Sequence, residues 1–139
     1  MIVCDTGPLV AAADRDDDHN RSCTDLFTGL HLTRRPVLVP APVVAEVGYL
    51  LGRAGGARVE AGFLLSIVEH TFSVVDLTED DYARMAELVE TYADFPLGTT
   101  DAAVIAVAER LRITEVATLD HRHFRAVRPR HVEALTLLP

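Results

Sequence analysis

The sequence predicts an α/β fold, a three-layer α/β/α sandwich around a mostly parallel central sheet. Short apolar runs alternate with segments of helical periodicity along the whole chain. This alternation is typical of parallel strands joined by crossover helices, which cover both faces of the sheet. The chain has 139 residues, 49% of them hydrophobic, which is enough to bury a core. We therefore expect a single domain over residues 1–139.

The N-terminal half is divided into elements by glycine and proline. The first apolar run ends at Asp5, and residues 6–8 are expected to form a tight turn before a short helix. Prolines bound the second apolar run, and Pro42 suits the first turn of the next helix. The expected elements are a strand at 2–4, helices at 9–13 and from the 16–18 acids to about 30, a strand at 37–39, and helices at 42–51 and 58–69.

The C-terminal half continues the alternation. Thr78 is followed by three acids, and this combination predicts a helix start because a hydroxyl cap and first-turn carboxylates satisfy the free N–H groups. Residues 94–98 are expected to form a loop, after which Thr99 or Thr100 caps the next helix. The expected elements are a strand at 72–77, a helix to about 92, a helix at 101–111, and strands at 116–119 and 132–138.

Composition excludes several kinds of chemistry. All 13 basic residues are arginine, so Schiff-base catalysis and a P-loop lysine are excluded. A formal charge of −8 argues against a protein that coats nucleic acid, although a local basic patch could still bind RNA. Cys4 and Cys23 lack CxxC spacing and are expected to be reduced and buried. Without a signal peptide or an apolar run of about 20 residues, we expect a soluble, cytoplasmic protein with no membrane partner.

Four acids lie in apolar surroundings, and we call them the acidic quartet. Asp5 and Asp120 each follow a predicted strand, and folds of this class bind ligands beyond the carboxyl ends of their strands. Glu46 and Asp101 lie on apolar faces of predicted helices. Each acid alone could be a helix cap or an ion-pair partner. Together, with no lysine to neutralise them, they favour a shared Mg²⁺ or Mn²⁺ ion, since hard cations prefer carboxylate and water oxygens.

Four segments of the chain resemble the PIN domain, and more narrowly the VapC toxins of bacterial toxin–antitoxin pairs. They occur in the order of that family, and the resemblance covers nearly the whole chain. The segments are VCDTGPL at 3–9, PVVAEV at 42–47, LGTTDAAVIA at 97–106 and ATLDHRHF at 117–124.

The resemblance implies an endoribonuclease dependent on Mg²⁺ or Mn²⁺, the toxin of a type II pair, with the acidic quartet as its catalytic and metal-binding residues. It implies that Thr6 and Thr118 help to orient water at the metal, the alternative being that they are simple helix caps. Water activated by the metal would cut RNA to leave 5′-phosphate and 3′-hydroxyl ends. The resemblance also implies a homodimer and a small VapB-type antitoxin whose C-terminal segment occupies the active-site groove.

Arginines and histidines are concentrated in the last third of the chain. A solvated face is the default explanation of such a run. The alternative is that Arg122 and Arg125 hold RNA phosphates beside Asp120, because a guanidinium group matches phosphate geometry.

Three other functions stay open. A phosphoacceptor signalling domain would share the fold class and an acidic magnesium pocket, but the missing lysine counts against it. A non-catalytic interaction module would keep the fold without needing an intact quartet. A structure-specific DNA nuclease would use the same metal chemistry on another substrate.

Overall fold

The computed structural model describes all 139 residues, and its strands form one sheet. The strands are β1 (Ile2–Cys4), β2 (Val37–Pro40), β3 (Ser73–Val75), β4 (Glu115–Ala117) and β5 (Thr136–Leu138). They lie in the order β3-β2-β1-β4-β5, and all four pairings are parallel. The expectation of a mostly parallel sheet is confirmed.

Seven helices flank this sheet. They are α1 (Thr6–Ala13), α2 (Asn20–Leu32), α3 (Ala41–Gly55), α4 (Ala57–Val68), α5 (Glu79–Thr91), α6 (Thr99–Leu111) and α7 (His121–Ala126). Helices α1 to α4 connect β1, β2 and β3 toward one edge, whereas α5 and α6 return the chain to β4 on the other side of β1. Because such crossovers are right-handed, this reversal puts the two groups on opposite faces. The expected three layers are therefore present.

Helix α6 supplies the centre of the core. All seven residues from 102 to 108 are buried, and the helix packs across β1, β2 and β4. Four of the seven are alanines, which allow the helix to approach the sheet closely. Asp101 directly precedes this buried stretch, so close packing of the helix also fixes the position of its carboxylate.

Three strands are shorter than the apolar runs predict, since β3, β4 and β5 have three residues each. After β4, the Thr118 hydroxyl accepts a hydrogen bond of 3.0 Å from the Asp120 N–H, and such local bonds turn a chain out of a sheet. Before β5, residues 130–134 form bends. Both apolar runs therefore include residues that pack without joining the sheet.

Helix starts differ from the expected positions in three places. Helix α1 begins at Thr6, so the predicted turn is its first helical turn, where the missing N–H of Pro8 costs nothing. Gly98, and not Thr99 or Thr100, is the N-cap of α6. Helix α7 was not predicted, because its six residues bury only Phe124 and show no apolar periodicity.

Two local features complete the fold. Gly56 joins α3 to α4 with φ of +80°, a conformation that glycine adopts without the strain a side chain would bring. Cys4 and Cys23 are both buried and form no disulfide bond. None of the seven helices is long and apolar enough to span a bilayer.

Candidate active site

The acidic quartet lies at the carboxyl end of the sheet. Asp5 follows β1 directly, and Asp120 follows β4 after two intervening residues. Strands β1 and β4 are neighbours, and the strand order reverses between them. This is the topological switch point, where open parallel sheets form a crevice for ligands.

Helix starts position the three aspartates. Asp5 is the N-cap of α1, Asp101 is the third residue of α6, and Asp120 is the N-cap of α7. The partial positive charge of a helix N-terminus stabilises a carboxylate at each place. Glu46 differs because it lies in the second turn of α3 and is exposed.

Thr118 connects two members of the quartet. Its hydroxyl donates a hydrogen bond of 2.8 Å to Oδ2 of Asp5 and accepts one from the Asp120 N–H. Thr118 is fully buried and Asp5 is only 6% exposed. The side chain of Thr118 therefore orients Asp5 and fixes the backbone that carries Asp120.

Thr6 holds the fourth acid. Its hydroxyl donates to Oε2 of Glu46 across forty residues of sequence, and it caps no helix. Glu46 forms no ion pair with an arginine. The hydrogen bond from the start of α1 thus orients a carboxylate that would otherwise be a free surface group.

Burial makes two of the carboxylates difficult to ionise. Burial raises the pKa of Asp5 from 3.8 to about 6, and the negative charges of Asp101 and Glu46 raise it further. Hydrogen bonds from the Thr6 N–H and the Thr118 hydroxyl act in the opposite direction. For Asp101 burial also raises the pKa, opposed by the Gly98 N–H, which donates to Oδ2 at 3.1 Å. The negative charges of Asp120 and Glu46 add to this increase, and the charge of His123 opposes it. Asp5, Glu46 and Asp101 are therefore close enough for their charges to repel, and Asp120 adds to the repulsion at Asp101.

Asp120 differs because a histidine faces it. The His123 N–H donates to Oδ1 at 3.1 Å, and Nδ1 of the His123 ring contacts Oδ2. Burial disfavours the charged form of Asp120, but these bonds, with the charges of His123 and Arg122, outweigh it and lower the pKa. Asp120 is the member of the quartet that has a cationic partner within the protein.

The donor set fits a hard divalent cation. Asp5, Glu46 and Asp101 form no ion pair with any basic side chain, and only Asp101 is influenced by a nearby positive charge, that of His123. No three His, Cys, Asp or Glu side chains lie close enough to form a complete set of metal ligands by themselves. Magnesium needs no such set, because it usually takes one or two carboxylates and keeps several waters. The residues present can therefore hold Mg²⁺ or Mn²⁺ by oxygen ligands alone.

The two arginines expected to bind RNA have different surroundings. The guanidinium carbon of Arg122 lies 5.0 Å from the centre of the Phe95 ring, and its charge acts on Asp120. Arg125 lies on the same helix, is exposed, and forms no ion pair. The structure thus brings Arg122 to the quartet, whereas no contact of Arg125 does so.

Two residues at this site were not indicated by the sequence pattern. In the sequence, His123 counts only as part of the C-terminal run of arginines and histidines, whereas in the fold its ring contacts an aspartate three residues earlier. Asp-x-x-His after a strand is the local signal that could have found it. Phe95 gives no such signal, because its partners are 27 and 28 residues away.

A cavity of about 540 Å³ lies at the opposite end of the sheet, at the amino ends of β2 and β3. Its walls include the C-terminal half of α2 and the residues that lead into β2 and β3, and it contains none of the quartet. The titratable side chains in its walls are all basic types, namely His31, Arg34, Arg35 and His70, and no carboxylate lines it. The chemistry of this cavity does not match that of the acidic site.

Comparison with known proteins agrees with this geometry. The family model described as "PIN domain" matches residues 2–129. Ribonuclease VapC26 of Mycobacterium tuberculosis is 30% identical over 142 aligned residues, which cover 99% of this chain and 100% of that protein.

Two solved structures share the fold. VapC20 of Mycobacterium tuberculosis, a toxin that cleaves the sarcin-ricin loop, superposes with a TM-score of 0.73 at 20% identity over 84% of this chain and 87% of that one. VapBC2 of Rickettsia felis, bound to a DNA fragment from its promoter, superposes with a TM-score of 0.73 at 16% identity, with 99% and 97% covered.

Proposed function

This chain belongs to the PIN-domain family, as a VapC-type toxin ribonuclease, and from that premise we propose that the acidic quartet is the active site of an endoribonuclease dependent on Mg²⁺ or Mn²⁺. One observation carries the proposal. Asp5, Glu46 and Asp101 lie together at the switch point of the sheet, with repelling charges and no ion-pair partner. Proteins rarely bury a carboxylate such as Asp5 beside other acids without a compensating cation.

The side chains have distinct roles in this proposal. Asp5 and Asp101 would hold the ion, and Thr118 fixes the Asp5 carboxylate through Oδ2. Glu46, oriented by Thr6, and Asp120 would complete the donor set, and one of these two carboxylates would accept the proton of the attacking water. The cation supplies an activated water and neutralises charge on the scissile phosphate. Arg122 and Arg125 bind neighbouring phosphates of the RNA, and Arg122 has the closer position.

In-line attack of water on phosphorus would break the bond from phosphorus to the 3′ oxygen, which takes a proton from solvent, and would leave a 5′-phosphate and a 3′-hydroxyl. A ribonuclease that uses the 2′-hydroxyl as nucleophile leaves a cyclic phosphate instead. Carboxylates that activate water thus predict end groups that phosphatase and ligase treatment of the RNA fragments can identify.

We also propose the partners of the chain. A solved toxin–antitoxin complex from Klebsiella pneumoniae contains a chain of the same fold, with a TM-score of 0.67 at 19% identity, and this chain covers 92% of that chain. The proposal is that a small VapB-type antitoxin inserts its C-terminal segment into the crevice at the quartet, and that two copies of this chain form a homodimer.

Cleavage of RNA with and without a chelator tests the proposal. Asp5→Asn and Asp101→Asn keep side-chain shape and remove the charge, so we expect each to lose at least about 100-fold in cleavage rate. Chelation with EDTA should abolish wild-type cleavage, and added Mg²⁺ or Mn²⁺ should restore it. Asp18→Asn is the matched control, since Asp18 is exposed and makes no side-chain hydrogen bond, and it should cut at the wild-type rate.

Other results would select other functions. Matched DNA cut faster than RNA would make the chain a DNA nuclease with the same metal chemistry. A folded wild type that cuts neither nucleic acid, even with metal added, would favour the non-catalytic interaction module.

A further inference from the structure

Phe95 is the one phenylalanine that does not belong to the hydrophobic core. Of the five in the chain, Phe63 and Phe124 are core residues, and Phe27 and Phe72 pack against the core. Phe95 lies in the connection between α5 and α6 and is half-buried. Its packing therefore serves a purpose other than filling the interior.

The ring of Phe95 contacts α7 beside the acidic quartet. The guanidinium carbon of Arg122 lies 5.0 Å from the ring centre. The His123 ring meets it edge to face, with centres 4.8 Å apart and planes at 68°. One aromatic side chain thus touches both residues whose charges act on Asp120.

Arg122 has no acid to hold it in place. Five other arginines, Arg21, Arg35, Arg84, Arg110 and Arg130, form ion pairs with acids, and Arg122 forms none. A free arginine side chain loses considerable rotamer entropy when it binds a phosphate. Contact with an aromatic face restricts it beforehand and leaves its N–H groups free for a phosphate.

We propose that Phe95 is a positioning residue that holds Arg122 ready to bind an RNA phosphate next to the scissile bond. The inference rests on the proposed ribonuclease function and adds to it a specific contact with substrate. The connection before α6 then links the helix that carries Asp101 to the helix that carries Asp120 and Arg122.

RNA affinity measured without cleavage tests this inference directly. All variants are made in the Asp101→Asn background with Mg²⁺ present, so that a fluorescein-labelled single-stranded RNA is bound and left intact, and anisotropy gives the Kd. Phe95→Leu should weaken binding about three- to tenfold, because an apolar side chain of similar bulk lacks the aromatic face. Phe95→Tyr should keep the parental Kd, because its ring still faces Arg122.

Arg122→Ala shows whether the effect acts through arginine. This change should weaken RNA binding. It should also reduce the slope of log K against log salt concentration by about one, because one phosphate contact and its released counterion are lost. Adding Phe95→Leu to Arg122→Ala should produce no further loss, since Phe95 acts through Arg122. In the protein with Asp101 intact, Phe95→Leu should raise the KM for RNA by the same factor by which it raises the Kd, and it should leave kcat unchanged.

A second arginine–aromatic pair provides the control. Arg53 lies 5.7 Å from the ring centre of Tyr49 on α3, and Tyr49→Leu removes a comparable contact away from α7. We expect Tyr49→Leu to leave the RNA Kd unchanged.

Two outcomes would overturn the inference in distinguishable ways. If Arg122→Ala weakens binding but Phe95→Leu does not, or lowers only the melting temperature, Phe95 is a structural residue and the ribonuclease proposal stands. If the Asp101-intact protein neither binds nor cuts RNA, both proposals fail together.

Discussion

At the scale of single residues, a functional group can lower the stability of the fold. Asp5 is buried, accepts a hydrogen bond from the Thr118 hydroxyl through Oδ2, and has no ion-pair partner. Its raised pKa means that the folded protein without a metal holds this charge at a cost. A residue selected for stability alone would not be an aspartate at this position.

Asp5→Asn should therefore stabilise the protein when no divalent cation is present. The folded pKa of about 6 exceeds the reference value of 3.8, so the cost of the charge is absent below 3.8 and fully present above 6. At pH 8 with EDTA, the free energy of unfolding should rise in Asp5→Asn, by about 3 kcal/mol at most. At pH 4 the gain should nearly disappear. Urea unfolding of wild type and Asp5→Asn at pH 8 and pH 4 measures the difference in the free energy of unfolding at each pH.

Asp18→Asn again serves as the matched control, and it should change stability by less than about 0.5 kcal/mol at either pH. An Asp5→Asn protein less stable than wild type at pH 8 would contradict the account, because it would mean that the fold already compensates the charge.

At the scale of elements, the start of α5 shows how charge is normally accommodated. Thr78 and Asp81 form a capping box, with reciprocal hydrogen bonds of 3.2 and 3.0 Å. Arg110 of α6 donates to both Asp81 oxygens. Burial disfavours the Asp81 charge, but the bonds from Arg110 and Thr78 outweigh it and lower the pKa. Unlike Asp5, this buried acid stabilises the fold.

Asp81→Ala should lower the free energy of unfolding by about 2–3 kcal/mol at pH 7, because it removes a helix cap and a charge-assisted pair. Asp80→Ala, at an exposed neighbour in the same first turn, should cost less than about 0.5 kcal/mol. The stabilisation by Asp81 exists above pH 3.8 and is lost as the pH falls through its lowered pKa, so the difference between wild type and Asp81→Ala should shrink in acid. Equal losses at positions 80 and 81 would contradict this assignment.

Elements with a strong apolar pattern or a recognisable capping sequence were predictable, and those that depend on hydrogen bonds without such a signal were not. The buried runs of β1 and β2 and the helix start at Thr78 follow from composition and capping rules. Helix α7 is short and polar, and it begins because Asp120 caps it. The end of β4 depends on the Thr118 hydroxyl, which an apolar pattern does not reveal.

At the scale of the whole molecule, the sheet order determines the site. The sequence predicted acids at strand ends and the resemblance to VapC toxins, and the family assignment is confirmed. Adjacency of β1 and β4 was a condition of the predicted cleft, and the structure meets it. The contacts of Phe95 with α7 could not be predicted, because they join residues that only the folded chain brings together.

Calorimetric titration with Mn²⁺ tests the central claim most directly, namely that Asp5, Glu46 and Asp101 form no ion pairs because the site binds a divalent cation. At pH 8, the wild type should bind Mn²⁺ saturably, while Asp5→Asn and Asp101→Asn should lose that binding and stay folded. The affinity should fall as the pH is lowered through about 6, because protonation of Asp5 removes a ligand. A folded wild type that binds no Mn²⁺ at pH 8, or variants that bind it equally well, would contradict the account.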